Sequence, residues 1–302
     1  MMDERNDALA PGSEVPELTK RKLRSPLGEV FFRLSKSPLA LFGLGIIALL
    51  VFCAIFADVI APYDPIKPDL PHKFETPTVQ HWLGRDEFGR DILSRIIYGA
   101  RVSLQVGFVA VGIALIVGGL LGAVAGYYSG WLDNGIMRVM DVLLSIPQTL
   151  LAIAIVAALG PSLPNLMIAV GISAVPNYAR IVRGSVLSIR GMEFVEAARA
   201  VGSSDLRIIL RHIIPNSMAP IIVQSTLGVA SAILNAAGLS FIGLGIQPPN
   251  PEWGAMLSGG RQYIRHYPHL TLYPGLAIMF TILALNFLGD GLRDALDPKL
   301  KR

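Results

Sequence analysis

Charge is scarce in this chain. Of its 302 residues only 16% are Asp, Glu, Lys or Arg, while 52% are hydrophobic; an average globular chain carries about 25% charged residues. A soluble particle of this size cannot cover its surface with so few charges, so the composition excludes a soluble domain and places the chain in a membrane. Lysine is rarer still, with none following a glycine and none between Lys73 and Lys299. A phosphate-binding loop needs Gly-Lys followed by Ser or Thr, so the chain does not cradle ATP in that way. Cysteine occurs once, as Cys53 inside an apolar run, which excludes an internal disulfide and reads as a small packed hydrophobe. No Cys/His cluster has metal spacing; His266 and His269 stand three apart in a loop and read as two surface imidazoles. A nucleophile elbow, a zinc-protease helix and paired catalytic carboxylates are all missing, so the expectation is a protein that is not an enzyme.

What is present is long apolar runs. A membrane helix needs about 20 mostly apolar residues. The first candidate runs from Leu39 to Ile60 and the second from Val102 to about Gly126. Val142 to Ala179 is uncharged, too long for one span, and cut by Gly160-Pro161-Ser162-Leu163-Pro164, so it reads as two short helices joined by a tight turn. A fifth candidate follows Pro215 and ends near Gly245, and the last runs from Leu270 to Gly289. The expectation is an all-α integral membrane fold of six transmembrane helices. The centres of these runs hold no Asp, Glu or His of the kind a proton-driven carrier places mid-membrane. Asp141, Arg180 and Arg183 lie at span ends and read as snorkelling groups or helix-end pairs.

The net charge of +4 is distributed as an orientation signal, not as a nucleic-acid footprint. With a cytoplasmic N-terminus, 18 of the 26 basic residues face inward, and the outer 62–101 loop is nearly neutral because it also carries six acids. Positive-inside asymmetry therefore places both termini in the cytoplasm. The expected divisions are a polar tail 1–37, a first span 38–61, an extracytoplasmic segment 62–101, a five-helix core 102–292 and a tail 293–302. In the first tail, Ser25-Pro26 starts a short amphipathic lead-in helix with Val30, Phe31 and Leu34 on one side. No cleavage site follows the first apolar run, so that span is expected to stay.

Within the core, the loop 184–216 is amphipathic while the outer loop 246–269 is proline-rich. Met192 to Val201 suits a helix with Phe194, Val195, Ala198 and Val201 near one face; Gly202 is a left-handed stop. Ser203 or Ser204 caps a second helix in which Leu206, Ile209, Leu210 and Ile213 recur at helical spacing, and Pro215 opens the next span. Two short helices bent at a glycine suit either a knob inserted in a groove of another protein or a pair lying on lipid headgroups; the pattern alone leaves both open.

The residues Glu196-Ala197-Ala198, then Gly202, then Pro215 resemble the EAA loop of ABC importer permeases, with His212 and Ile214 standing where that pattern has Ile and Leu. Further segments resemble the dipeptide/oligopeptide/nickel branch of those permeases, in particular its second, C-type subunit. They are Trp82-Leu83-Gly84-Arg85-Asp86-Glu87-Phe88-Gly89-Arg90-Asp91, Gly99-Ala100-Arg101, Leu239-Ser240-Phe241, Pro251-Glu252-Trp253-Gly254 and the tail Asn286 to Pro298. The resemblance implies the type I ABC importer permease fold in a bacterial plasma membrane. It implies a heterodimer with a second homologous permease subunit, two ABC ATPase subunits that hold the ATP and magnesium, and an extracytoplasmic substrate-binding protein docking on 62–100 and 246–268. It assigns Glu196, Ala197, Ala198, Gly202, Ser204, Asp205, Leu206 and Pro215 to ATPase coupling, with Glu196 as the charged contact, Gly202 as the bend and 203–214 as the inserted helix.

By the same resemblance the solute is a di- or oligopeptide, with glutathione or chelated nickel as alternatives; a self-sufficient channel or secondary carrier is the rival class. Gly118, Gly122 and Gly126 have membrane-packing spacing, for packing within the subunit or against the partner permease, the first being preferred. Asn286 lines the pathway or hydrogen-bonds a neighbouring helix, and the second is expected.

Overall fold

The computed structural model describes residues 26–296, and every regular element among them is helical. Helix α1 (Pro26–Leu34) leads into α2 (Pro38–Ile55), whose start is set by Pro38 at the first position and by the Ser37 hydroxyl, which accepts from Ala40 N at 3.3 Å. The chain breaks at Phe56 into a single turn, α3 (Ala57–Ile60). Of the three apolar residues expected on one side of α1, Leu34 is buried while Phe31 is 69% exposed. Ser25, expected as its cap, lies outside the described residues.

Helix α4 (Ile92–Tyr128) has 37 residues and is about 55 Å long, well beyond the ~30 Å hydrocarbon core. It starts three turns ahead of Val102 because Asp91 caps it, accepting from Ser94 N at 2.7 Å, and because Arg95 is buried in its first turns. Hydropathy reads Arg95 and Arg101 as a boundary; the helix runs through both.

The third crossing also differs from expectation. Helices α5 (Gly130–Leu144) and α6 (Gln148–Leu159) meet at an 87° bend across Ser145-Ile146-Pro147. Pro147 bars Ile146 from helical geometry and has no N–H to continue the ladder, so the uncharged run from Val142 is two pieces before the expected turn at Gly160 is reached. Helix α7 (Leu163–Ile189) follows, its N-cap Ser162 accepting from Asn165 N at 3.3 Å. After the 190–216 finger, which holds α8 (Glu193–Ala200), α9 (Asp205–Ile208) and α10 (Ile214–Asn216), come α11 (Met218–Phe241), α12 (Trp253–Gly260) and α13 (His269–Leu296). Among the described residues five helices are long and apolar enough to cross a membrane, and the bent pair, taken as one span, makes six.

The packing centre is the parallel pair α4 and α7. A Cβ on Gly118 would stand 2.6 Å from the carbonyl of Val175, one on Gly122 would strike the carbonyl of Ala179, and one on Gly126 would stand 2.9 Å from that of Arg183. The three glycines thus let two backbones touch inside this subunit, as small residues four apart do in membranes. Around this seam Val106, Ala114, Leu166, Val170 and Ile233 form the buried core. Asn286, half-buried on α13, makes no side-chain hydrogen bond among the described residues, contrary to expectation. We call the end of the bundle carrying 61–91 and 242–268 the upper end, and that carrying 190–216 the lower end.

Candidate coupling site

The lower finger begins where α7 stops. Helix α8 (Glu193–Ala200) ends at Gly202, whose φ of +78° is the left-handed region that favours glycine. Ser203 N donates to the Ala198 carbonyl at 3.1 Å, the six-to-one closure of a Schellman motif. Ser204 occupies the N-cap position of α9 (Asp205–Ile208), but its hydroxyl makes no capping bond. The chain then widens into a π turn over Ile209–Ile213 and continues through α10 (Ile214–Asn216) toward α11. Pro215 accounts for the widening: it brings no N–H to the ladder and its ring crowds the carbonyl four residues back. Carbonyls on this turn find side-chain donors instead. Asn216 Nδ2 donates to His212 O at 2.6 Å and Ser217 Oγ to Ile213 O at 2.8 Å.

The finger is held on one side only. Val195, Ile208 and Ile213 are fully buried, with Ala198 and Ile209 beside them, against Ala123, Val182, Val186 and Ile189 of α4 and α7. The opposite side is bare: Val201 is 82% exposed, Leu206 65% and Leu210 56%, next to exposed Glu196 and Ala197. The residues expected to share one helix face are thus divided: Phe194, Val201, Leu206 and Leu210 turn outward, while Val195, Ala198, Ile209 and Ile213 turn inward, joined there by Ile208. Glu196 makes no ion pair or side-chain hydrogen bond among the described residues.

A residue that the pattern gave no reason to single out fastens the finger to the membrane helices. Tyr127, buried at the foot of α4, donates its hydroxyl to Asp205 Oδ1 at 2.6 Å, and the Arg199 guanidinium lies 5.4 Å from its ring centre. One side chain therefore pins both arms of the bend. Beside it, Arg190 Nη1 donates to the carbonyls of Gly126 at 3.3 Å and Tyr127 at 3.0 Å and to the Ser129 hydroxyl, satisfying the last carbonyls of α4. Arg183 grips Asp133 through two bonds of 2.5 and 2.6 Å, and Arg180 meets Asp141 at 2.8 Å, so the expected helix-end pairing is present.

The upper end gathers the other singled-out segments. Trp253 is fully buried against Gly99, where a Cβ would lie 2.6 Å from its ring, and its Nε1 donates to Ile96 O at 3.1 Å. Glu252 caps α12, accepting from Gly254 N at 2.8 Å and Ala255 N at 2.7 Å. Its burial pushes the carboxyl above its ordinary range, partly offset by those two bonds. Asp86 binds Arg90 Nε at 2.7 Å, with Arg95 Nε at 3.4 Å and His81 Nδ1 on Asp91 at 2.8 Å. Glu87 is raised as well, by burial first and by the Asp86 charge second. His269, read as a surface imidazole, is buried and stands edge-on to Tyr267. Among the described residues no group of three metal-ligating side chains comes together.

Among the described residues, a bundle of five or six helices able to cross a membrane, with a clamped, one-sided finger at its lower end, defines a class: a polytopic membrane protein. Residues 118–302 match the family described as binding-protein-dependent transport system inner membrane component, and residues 25–77 match the N-terminal TM domain of oligopeptide transport permease C. The dipeptide transport system permease protein of Alkalihalophilus pseudofirmus is 52% identical over 291 residues, 96% of this chain and 95% of that one. The glutathione transport system permease protein of Escherichia coli is 47% identical over 288 residues, 95% of each. Among solved structures, the inward-facing MetNI methionine ABC transporter matches with a TM-score of 0.56 at 17% identity, over 67% of this chain and 96% of the other. An amino acid ABC transporter matches at 0.52 and 17%, over 67% and 94%. The chain belongs to the binding-protein-dependent transport system inner membrane component family, and its fold is that of ABC importer permeases.

Proposed function

We propose that this chain forms half of the membrane passage of an ATP-driven peptide importer and is moved through the 190–216 finger. The carrying observation is the one-sidedness of that finger, whose inner face is locked to α4 and α7 while Glu196, Val201, Leu206 and Leu210 stand free. An apolar strip edged by an acid fits a groove on a partner that offers an apolar floor and a basic residue. In this reading the lower end faces the cytoplasm, as the basic-residue asymmetry indicates, with both termini there. Two ATPase subunits, which hold the ATP and magnesium, seat the finger of this chain and that of a second homologous permease subunit. The upper end receives a solute-loaded binding protein. ATP binding draws the ATPases together, the fingers follow, and the two halves rock so that the passage opens upward; hydrolysis returns them.

The solute class follows from the relatives: a di- or oligopeptide by the 52% match, with glutathione, itself a modified tripeptide, as the second reading by the 47% match. Glu196→Arg tests the coupling role. Uptake into reconstituted vesicles is expected to disappear while the protein inserts and copurifies with its partner permease. Undiminished uptake by that variant would remove Glu196 from the coupling site.

A further inference from the structure

A small cavity of about 150 Å³ opens among α4, α6, α7 and α11, and its lining includes the carboxamides of Gln148, Asn177 and Gln224 with the hydroxyls of Tyr178 and Ser231. Asn177 is the fifteenth of the 27 residues of α7, close to the middle of a crossing helix. None of the three carboxamides makes a side-chain hydrogen bond among the described residues. In hydrocarbon, such unpartnered groups are costly, and three from three different helices on one cavity are not an accident of lipid-facing sequence. The backbone at this place is irregular too. Gln148 follows directly on the 87° bend, where Ser145, Ile146 and Pro147 are exposed, and Asn177 follows Pro176 inside α7. Broken backbone at membrane depth persists where it is covered by protein or lines water. This subunit leaves it uncovered, so the region meets either a partner protein or water, and three unpartnered carboxamides on one cavity fit the second.

We infer that this cavity is this subunit's share of the solute passage, and that Gln148, Asn177 and Gln224 hand a peptide along by its main-chain amides. The inference rests on the importer reading above. The chemistry of the lining carries it further than position alone. No Asp, Glu, Lys, Arg or His lines the cavity. Each carboxamide offers two donors and an acceptor, matching the N–H and C=O that every peptide repeats whatever its side chains. A charged lining would hold peptides of one sign and repel the other; a neutral one passes both. The ion pair Arg180–Asp141 lies one turn further down α7, its charges already matched to each other.

The test uses the whole transporter in proteoliposomes: this chain, its partner permease, the ATPases and the binding protein. In a Cys53→Ser background, Asn177→Cys and Gln224→Cys are each treated with a membrane-impermeant cationic methanethiosulfonate, without nucleotide and with ATP trapped. Both are expected to react in at least one state, while Leu49→Cys on the sparsely buried α2 does not. Failure of both to react faster than Leu49→Cys overturns the inference. Independently, the double variant Asn177→Leu/Gln224→Leu is expected to lower uptake of radiolabelled alanyl-alanine or glutathione about tenfold, the loss of one to two hydrogen bonds, with binding-protein-stimulated ATP hydrolysis retained. Full uptake by that variant overturns the inference even if the cysteines react. If the unaltered transporter takes up neither solute, the peptide reading falls, and the labelling alone decides whether the cavity is a passage.

Discussion

The two ends of this molecule handle charge in opposite ways. At the upper end, charged groups turn inward onto partners: Asp86 onto Arg90 and Arg95, Asp91 onto His81, Glu252 onto two backbone amides. At the lower end, Glu196 and Arg207 stand exposed on the finger without ion pairs among the described residues. Buried, mutually satisfied charges add little net stability but are intolerant of losing a partner. Exposed, unpaired ones contribute little to the fold and are open to another protein. The upper end is thus a frame, the finger is a handle in the proposed coupling role, and substitutions at the two should separate stability from coupling.

The largest effect is expected at the frame. Asp86→Ala leaves Arg90 and Arg95 buried with Glu87 as the remaining nearby carboxylate, a loss of about 3–5 kcal/mol, read as a lowered melting temperature in detergent and poor recovery of folded protein. A variant as stable as the parent would break the contrast between the ends. Next comes the pin between finger and bundle. Tyr127→Phe keeps the ring under Arg199 and removes the bond to exposed Asp205, costing about 1 kcal/mol. Its larger consequence is slack: uptake should fall severalfold at nearly unchanged melting temperature. Equal losses in stability and uptake would make Tyr127 a frame residue.

The smallest effect sharpens the frame itself. The carboxyl of Glu87 is raised in the folded protein, so its contribution to stability is complete below the ordinary carboxylate value and is lost as pH rises through the raised one. Glu87→Gln should therefore be neutral or slightly stabilising at neutral pH and should flatten the fall in melting temperature as pH rises above the ordinary carboxylate value. A variant that melts lower than the parent at pH 7 would show that the Arg90 contact outweighs burial.

The sequence made the number of crossings and the bend of the finger legible because both rest on local chemistry: uncharged runs of span length, and a glycine where the backbone needs a positive φ. The start of α4 was hidden because Arg95 and Arg101 look like a membrane boundary, although the helix outruns the membrane. The bend before α6 was hidden because hydropathy does not register Pro147 inside an apolar run. The wheel drawn through Leu206, Ile209, Leu210 and Ile213 assumes 3.6 residues per turn, and the π turn at Ile209–Ile213 changes that phase. Two of the four, Leu206 and Leu210, therefore face outward. Tyr127 carries no local signature at all, since its role arises only when a segment 78 residues away folds against it.

Helix α4 touches both ends. It is anchored above by Asp91 and by Trp253 lying on Gly99, and below by Tyr127 and the Arg190 clasp, with no proline between. Over its length of about 55 Å, a swing of about 5° at the foot carries the top through about 5 Å. In the proposed coupling role, a nudge delivered to the finger on one side of the bilayer is thus felt as a displacement on the other, with no relay of intermediate contacts required.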